Sequence, residues 1–211
     1  PPIQNVNITI DGTTQPGNTN PFGPEICLKG NGILNYGICL PTTGNSVKGF
    51  IINGFQYGIL IYKASFFNCN NNTVSDCYIG VNYDGTVADA NEIGIAIYSN
   101  ATNNIIKDNL ISGNTLAGIG IRTSSSNTIQ GNKIGTDRTG IFRISNYYGI
   151  AIDSSASNTV GGNTAALRNY ISGNTYAGIA INTNFSHDNI IKGNFIGVNI
   201  NATTHTDTLS N

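Results

Sequence analysis

Apolar and free positions alternate in one short phrase that recurs along the chain. It reads Gly58-Ile59-Leu60-Ile61, then Gly94-Ile95-Ala96-Ile97, Gly118-Ile119-Gly120-Ile121, Gly149-Ile150-Ala151-Ile152 and Gly178-Ile179-Ala180-Ile181, with a looser copy at Gly37-Ile38-Cys39-Leu40. Alternation of this kind predicts a strand with one buried face. The copies recur at intervals of 21, 36, 24, 31 and 29 residues. Recurrence in that range is the mark of a repeat architecture. A second phrase runs in step with the first. It is fullest at Asn127-Thr128-Ile129-Gln130-Gly131-Asn132-Lys133-Ile134-Gly135, with counterparts from Asn104, Asn72 and Asn189 and openings at Asn45 and Asn158. No stretch carries helical spacing over ten residues or more. Short strands, one turn of chain per repeat and loops of varying length predict a parallel β-helix.

Alignment of the units predicts an inward column of Ile10, Leu28, Ile52, Ile79, Ile111, Ile134, Ile171 and Ile196. Two units turn sharply at Ser112-Gly113-Asn114 and Ser172-Gly173-Asn174. Others run out into long excursions such as 136–148, expected to protrude on one side. The six Asn at 45, 72, 104, 127, 158 and 189 are expected to be structural. An Asn at a tight bend satisfies local backbone groups and tolerates left-handed conformation, and stacked amides bond one another.

The stretches Ile8-Thr9-Ile10-Asp11-Gly12-Thr13-Thr14-Gln15-Pro16-Gly17 and Gly131-Asn132-Lys133-Ile134-Gly135-Thr136-Asp137-Arg138-Thr139-Gly140 resemble the right-handed parallel β-helix repeats of large secreted and surface proteins. The resemblance covers nearly the whole chain and extends in architecture to the pectin-lyase-like superfamily. It implies an all-β, right-handed solenoid of about seven rungs, residues 1–211 forming one domain. Lyases, hydrolases, epimerases, phage tailspikes and adhesins share that architecture, so it does not choose a function.

Composition narrows the choice. Charged residues are 10% of the 211, the net charge is −1, and no basic run exists. A nucleic-acid partner is excluded on that ground, because phosphate binding needs clustered Lys and Arg. No apolar run is long enough to span a membrane. Low charge with abundant Asn, Thr, Ser and Gly suits an extracellular or cell-surface protein. Sequons begin at Asn7, Asn71, Asn100, Asn184 and Asn201, candidate glycan sites in a glycosylating host. Of the four cysteines, Cys69 and Cys77 flank a bend and are a candidate disulfide; Cys27 and Cys39 read as small apolar filler. No Cys-x-x-Cys pair exists, so no zinc site is expected.

Candidate chemistry lies on the outward positions of the Gly-Ile strands. One outward column is small: Cys39, Leu60, Ala96, Gly120, Ala151, Ala180. The next runs Pro41, Tyr62, Tyr98, Arg122, Asp153, Asn182. Tyr62, Tyr98, Arg122, Asp153 and Asn182 are the candidate ligand wall, since aromatic faces stack on sugar rings and the polar groups bond hydroxyls. The bland alternative is a solvated face with Arg122 and Asp153 as a weak surface pair. No catalytic residue and no cofactor is assigned. Glycosidic hydrolysis needs two flanking carboxylates, and Asp153 has no evident partner. The two His, His187 and His205, fall in expected loops, and the acids of 84–89 read first as turn residues with calcium as an alternative.

The expected function is therefore a non-catalytic structural or adhesive, fibre-forming or free-standing segment of an extracellular or cell-surface protein, with polysaccharide or surface glycan as the candidate partner. The alternatives are a carbohydrate-active enzyme and a phage or viral receptor-binding fibre. The end turns lack full strands, so an excised segment of a longer helix is expected, with end-to-end self-association as the alternative.

Overall fold

The computed structural model describes residues 2–16, 19–64, 68–201 and 209–211. The chain coils through three sheets, in which every pairing between named strands is parallel. The first sheet stacks Thr9–Asp11, Ser46–Lys48, Thr73–Ser75, Ile105–Lys107, Thr128–Gln130, Thr159–Gly161 and Ile190–Lys192. The second stacks Ile26–Lys29, Phe50–Asn53, Tyr78–Ile79, Leu110–Ile111, Lys133–Ile134, Tyr170–Ile171 and Phe195–Ile196. The third holds the Gly-Ile strands Tyr36–Leu40, Tyr57–Tyr62, Ile93–Tyr98, Ala117–Arg122, Tyr148–Asp153 and Ala177–Asn182. Seven strands in each of two sheets give about seven rungs of a right-handed parallel β-helix. Among the described residues no helix is long and apolar enough to cross a membrane.

The core is a set of aliphatic columns. Leu28 through Ile196 stack in the second sheet in the expected register. Ile10 does not head that column: it pairs with Val47 in the first sheet, above Val74, Ile106, Ile129 and Val160. A long connection, residues 12–25, separates the two strands of the first turn and hides which sheet Ile10 belongs to. Two further columns, Ile59 to Ile150 and Ile61 to Ile152, come from the third sheet and are buried. Burial of each such side chain contributes about 1.5–3 kcal/mol. At the first turn Pro2 bridges Cys39, and Ile3 packs on the core.

Each turn has three corners, and asparagine ladders run along all of them. At the first corner the Oδ1 of Asn72, Asn104, Asn127, Asn158 and Asn189 accepts the backbone N–H of the ladder Asn one turn earlier, at 2.9 Å each. The same oxygen also takes the preceding side-chain amide from Asn72 onward. Asn109, Asn132, Asn169 and Asn194 repeat the device at the second corner, headed by Cys77. Asn91, Asn114, Asn146, Asn174 and Asn211 repeat it at the third. The left-handed residue is not the ladder Asn of the first corner but the one before it: Asn71, Asn103, Ser126, Ser157 and Asp188 have φ of 54–60°. The ladder Asn keeps its amide pointing inward, where nothing else could satisfy the buried backbone.

All four cysteines are free. Cys69 and Cys77 do not form the candidate bridge because the strand Thr73–Ser75 separates their corners. Cys69 Sγ donates to the Leu40 carbonyl, Cys77 Sγ to the Ser75 carbonyl, and burial pushes both thiols up to about 12. The excursions after Ile79 and Ile134 both leave between the second and third sheets, so these two share one side as expected, and Arg138 N–H ties them by donating to the Gly85 carbonyl. Asp84 accepts from Thr86, while Asp89 meets Lys29 at 2.7 Å. The two acids thus meet separate local partners, Thr86 and Lys29. All five sequon asparagines are exposed; His205 lies outside the described residues.

Candidate ligand groove on the Gly-Ile sheet

The floor of the site follows from the small column. Register places Leu60, Ala96, Gly120, Ala151 and Ala180 in line on the outer face of the third sheet. A Cβ on Gly120 would stand 3.3 Å from Tyr98 Oη, so the glycine makes room for that ring. The expected wall lies beside the floor: Tyr62, Tyr98, Arg122, Asp153 and Asn182 are register partners in successive strands. Tyr98, Arg122, Asp153 and Asn182 line one cleft of about 190 Å³; Tyr62 stands in the same column but outside that cleft.

The opposite wall was not legible from alternation. Tyr57, Ile93, Ala117 and Tyr148, each directly before a glycine, share the outer face with Leu60, Ala96 and Tyr98. Strict period two would turn them inward. The period breaks at the glycine: a Cβ on Gly58 would meet the Gly94 carbonyl oxygen at 2.7 Å and Ile79 at 3.1 Å, so it faces the core together with Ile59. One position earlier, Leu116, Tyr147 and Tyr176 form an exposed ledge. Tyr147 and Tyr176 stack at 5.1 Å, and Tyr148 meets both edge-on. Tyr57 meets Tyr98 edge-on at 5.9 Å. Pairing of this kind fixes the rings. The signal available in the sequence was the recurrence of Tyr before the glycine.

Arg122 Nε lies 3.7 Å from Asp153 Oδ2, with the Arg side chain 70% exposed. Both groups keep capacity for further hydrogen bonds. Burial pushes the Tyr98 phenol up to about 12, aided by Tyr57, so it stays a neutral donor. The arrangement offers an aromatic ledge, a shallow floor and a polar wall. It can hold a flat polyhydroxylated ligand and has no paired carboxylates.

A second cleft, about 280 Å³, lies at the corner between the first and second sheets. It brings together Asp76 and Asp108, which sequence spacing did not pair, beside Tyr78. Burial and the neighbouring Asp76 raise the Asp108 carboxyl, while Lys107 at 3.8 Å opposes them. Both acids occupy left-handed corner positions, φ 54° and 57°. Across the same cleft stand Gly12, Gly23 and Gly49, with no aromatic ledge.

The architecture is that of the pectin-lyase-like parallel β-helices. Residues 5–211 match the family described as periplasmic copper-binding protein (NosD), and the chain belongs to that family. No curated protein and no solved structure matches it significantly.

Proposed function

We propose that the protein is a non-catalytic, adhesive β-helix that works outside the cytoplasm and binds glycan along the outer face of its third sheet. The observation that carries this reading is the groove, an aromatic ledge facing a polar wall across a floor of Gly and Ala. Sugars present apolar ring faces and hydroxyl edges, and the two walls suit one each. The groove runs along the helix axis, across strands spaced about 4.8 Å apart, so an extended polysaccharide is the fitting ligand. A periplasmic setting, named in the family's description, agrees with the sparse charge.

Copper does not enter this reading, because the described residues do not fit it. The chain has no Met. Among the described residues no three His, Cys, Asp or Glu gather as a metal group. Copper(I) prefers thiolate and thioether donors. Three of the thiols are buried, with Cys39 raised to about 11 and Cys69 and Cys77 to about 12, so each resists the deprotonation that ligation requires.

The test is a glycan array followed by NMR titration. Gly120→Val fills the floor and Tyr98→Ala removes a wall; each is expected to weaken binding at least tenfold while the far-UV spectrum stays unchanged. Undiminished binding in both variants places the ligand elsewhere. Release of reducing or unsaturated ends, lost in Asp153→Asn, would make the protein an enzyme instead.

A further inference from the structure

The corner between the first and second sheets changes along the axis. The residue directly after five of the first-sheet strands is left-handed there: Gly49, Asp76, Asp108, Gly131 and Gly193 have φ of 54–75°. Glycine takes that conformation without strain, and three of these turns use it. Two adjacent turns carry a carboxylate instead, and both carboxylates line the cleft of about 280 Å³. Gly131, one turn on, leaves room for the second, since a Cβ there would stand 2.4 Å from Asp108 Oδ1. The cleft does not end at Asp108. Asp108 and Tyr78 also line a narrower cleft of about 100 Å³, whose other wall holds Lys133 and Arg138.

The two ends of this trough carry opposite charges with few partners of their own. Lys133 Nζ donates to the Arg138 carbonyl at 2.6 Å, and Arg138 Nε is buried with no hydrogen-bond partner. Among the described residues neither cation forms an ion pair. Asp137, the acid beside Lys133, is held by Thr139 and by the N–H groups of Ile141 and Phe142. At the other end Asp108 meets Lys107 at 3.8 Å, and Asp76 forms no ion pair among the described residues. Glu25, on the same cleft, accepts from Thr19.

We propose that the trough is a second ligand site, apart from the glycan groove, and that it takes a short peptide with free termini. The peptide ammonium lies toward Asp76 and Asp108, and its carboxylate toward Lys133 and Arg138. The length follows from register. Tyr78, Leu110 and Lys133 are partners in successive strands, so Asp76 and Lys133 stand two turns, about 10 Å, apart along the axis. Three extended residues span about 10 Å, and a single amino acid cannot reach both ends. Tyr78 and Leu110 line the middle, where the peptide has no net charge. A neutral glycan would leave both charged ends without counter-charge.

The test titrates trialanine into the full 211-residue chain and follows amide NMR shifts. Signals of Asp76, Asp108 and Gly131 are expected to move in one saturable process, while those of Gly120 and Asp153 in the glycan groove stay in place. N-acetyl-trialanine and trialanine amide should each bind about tenfold more weakly, the loss expected for one charged hydrogen bond. Asp108→Asn and Lys133→Gln should weaken trialanine by a similar factor with an unchanged far-UV spectrum, and Tyr98→Ala should leave it unaltered. No shift with trialanine in large excess would overturn the proposal, as would equal binding of the blocked peptides. Putrescine binding as tightly as trialanine would make this a cation site only, and succinate doing so an anion site only; either result overturns the peptide.

Discussion

The corner ladders and the outer groove are built from the same turns in the same register, yet they obey different rules. At the corners, once a ladder has begun, each turn repeats one residue type, because each Asn accepts from the turn before and is met by the Asn of the turn after. In the groove the corresponding column changes at every step, from Tyr62 to Tyr98, Arg122, Asp153 and Asn182. Inward groups must be satisfied by the protein itself; outward groups can be satisfied by water or a ligand. Sameness therefore marks the scaffold, and variation within a fixed register marks the surface open to function.

The sharpest way to break the comparison is to alter one rung of a ladder. Asn127 accepts from the Asn104 backbone and side chain and donates to the Asn158 side chain and the Ala101 carbonyl. Asn127→Ala leaves the Asn104 donors buried without their shared acceptor. A buried unsatisfied group costs about 1–3 kcal/mol, so the loss should be about 2–5 kcal/mol. Chemical denaturation measures it. Asn189→Ala, in the more exposed last turn, should cost less than half as much. Equal costs at the two positions would show that burial along the ladder does not set its strength.

That contrast also explains what the sequence reveals. The first-corner ladder was legible because Asn opens each copy of a phrase that also contains a β-branched strand. The other two ladders were not, although Gly-Asn-Lys-Ile and Ser-Gly-Asn stood in plain view. Spacing is not what separates them, since it runs from 23 residues, Asn91 to Asn114, to 32, Asn114 to Asn146, in the third ladder and from 23, Asn104 to Asn127, to 32, Asn72 to Asn104, in the first. Local geometry at the corner is constant while sequence distance is not. The polar wall of the groove followed from period two. The aromatic wall did not, because two consecutive residues, Gly58 and Ile59, face inward. A glycine that must pass close to a neighbouring carbonyl resets the alternation, and no propensity argument marks where that happens. The free cysteines teach a related point. Cys77 sits where later turns carry Asn109 and Asn132, so its surroundings are set by a corner position rather than by a distant thiol.

A second prediction separates amide from carboxylate. The ladders hold no carboxylate, so acid should leave them intact while loosening the 136–147 excursion. Burial alone would raise the Asp137 carboxyl, but hydrogen bonds from Phe142 N–H, Thr139 and Ile141 N–H outweigh it and hold the group below the ordinary carboxylate value. A depressed pKa gives stability that is present above the unfolded value of 3.8 and lost as the pH falls below it through the folded one. NMR signals of Ile141 and Phe142 should therefore shift in that acidic window while those of Ile129 and Ile134 do not. Asp137→Asn should abolish the pH dependence of the excursion. Simultaneous loss of core and excursion signals would mean that the two are one cooperative unit.

The smallest effect is expected in the groove itself. Arg122 and Asp153 form a pair 3.7 Å apart with the Arg side chain mostly in water. Exposed pairs contribute about 0–1 kcal/mol, since solvent screens the attraction and two side chains lose freedom. Arg122→Ala and Asp153→Asn should each change stability by about 0.5 kcal/mol or less, and the double variant should show little coupling. Ligand binding should respond differently, because both groups line the cleft with Tyr98 and Asn182. A several-fold loss of glycan affinity with unchanged stability would assign the pair to recognition. Strong coupling in a double-mutant cycle, more than about 1 kcal/mol, would instead make it part of the scaffold. The division between invariant corners and a free outer column would then fail at the residues chosen to represent it.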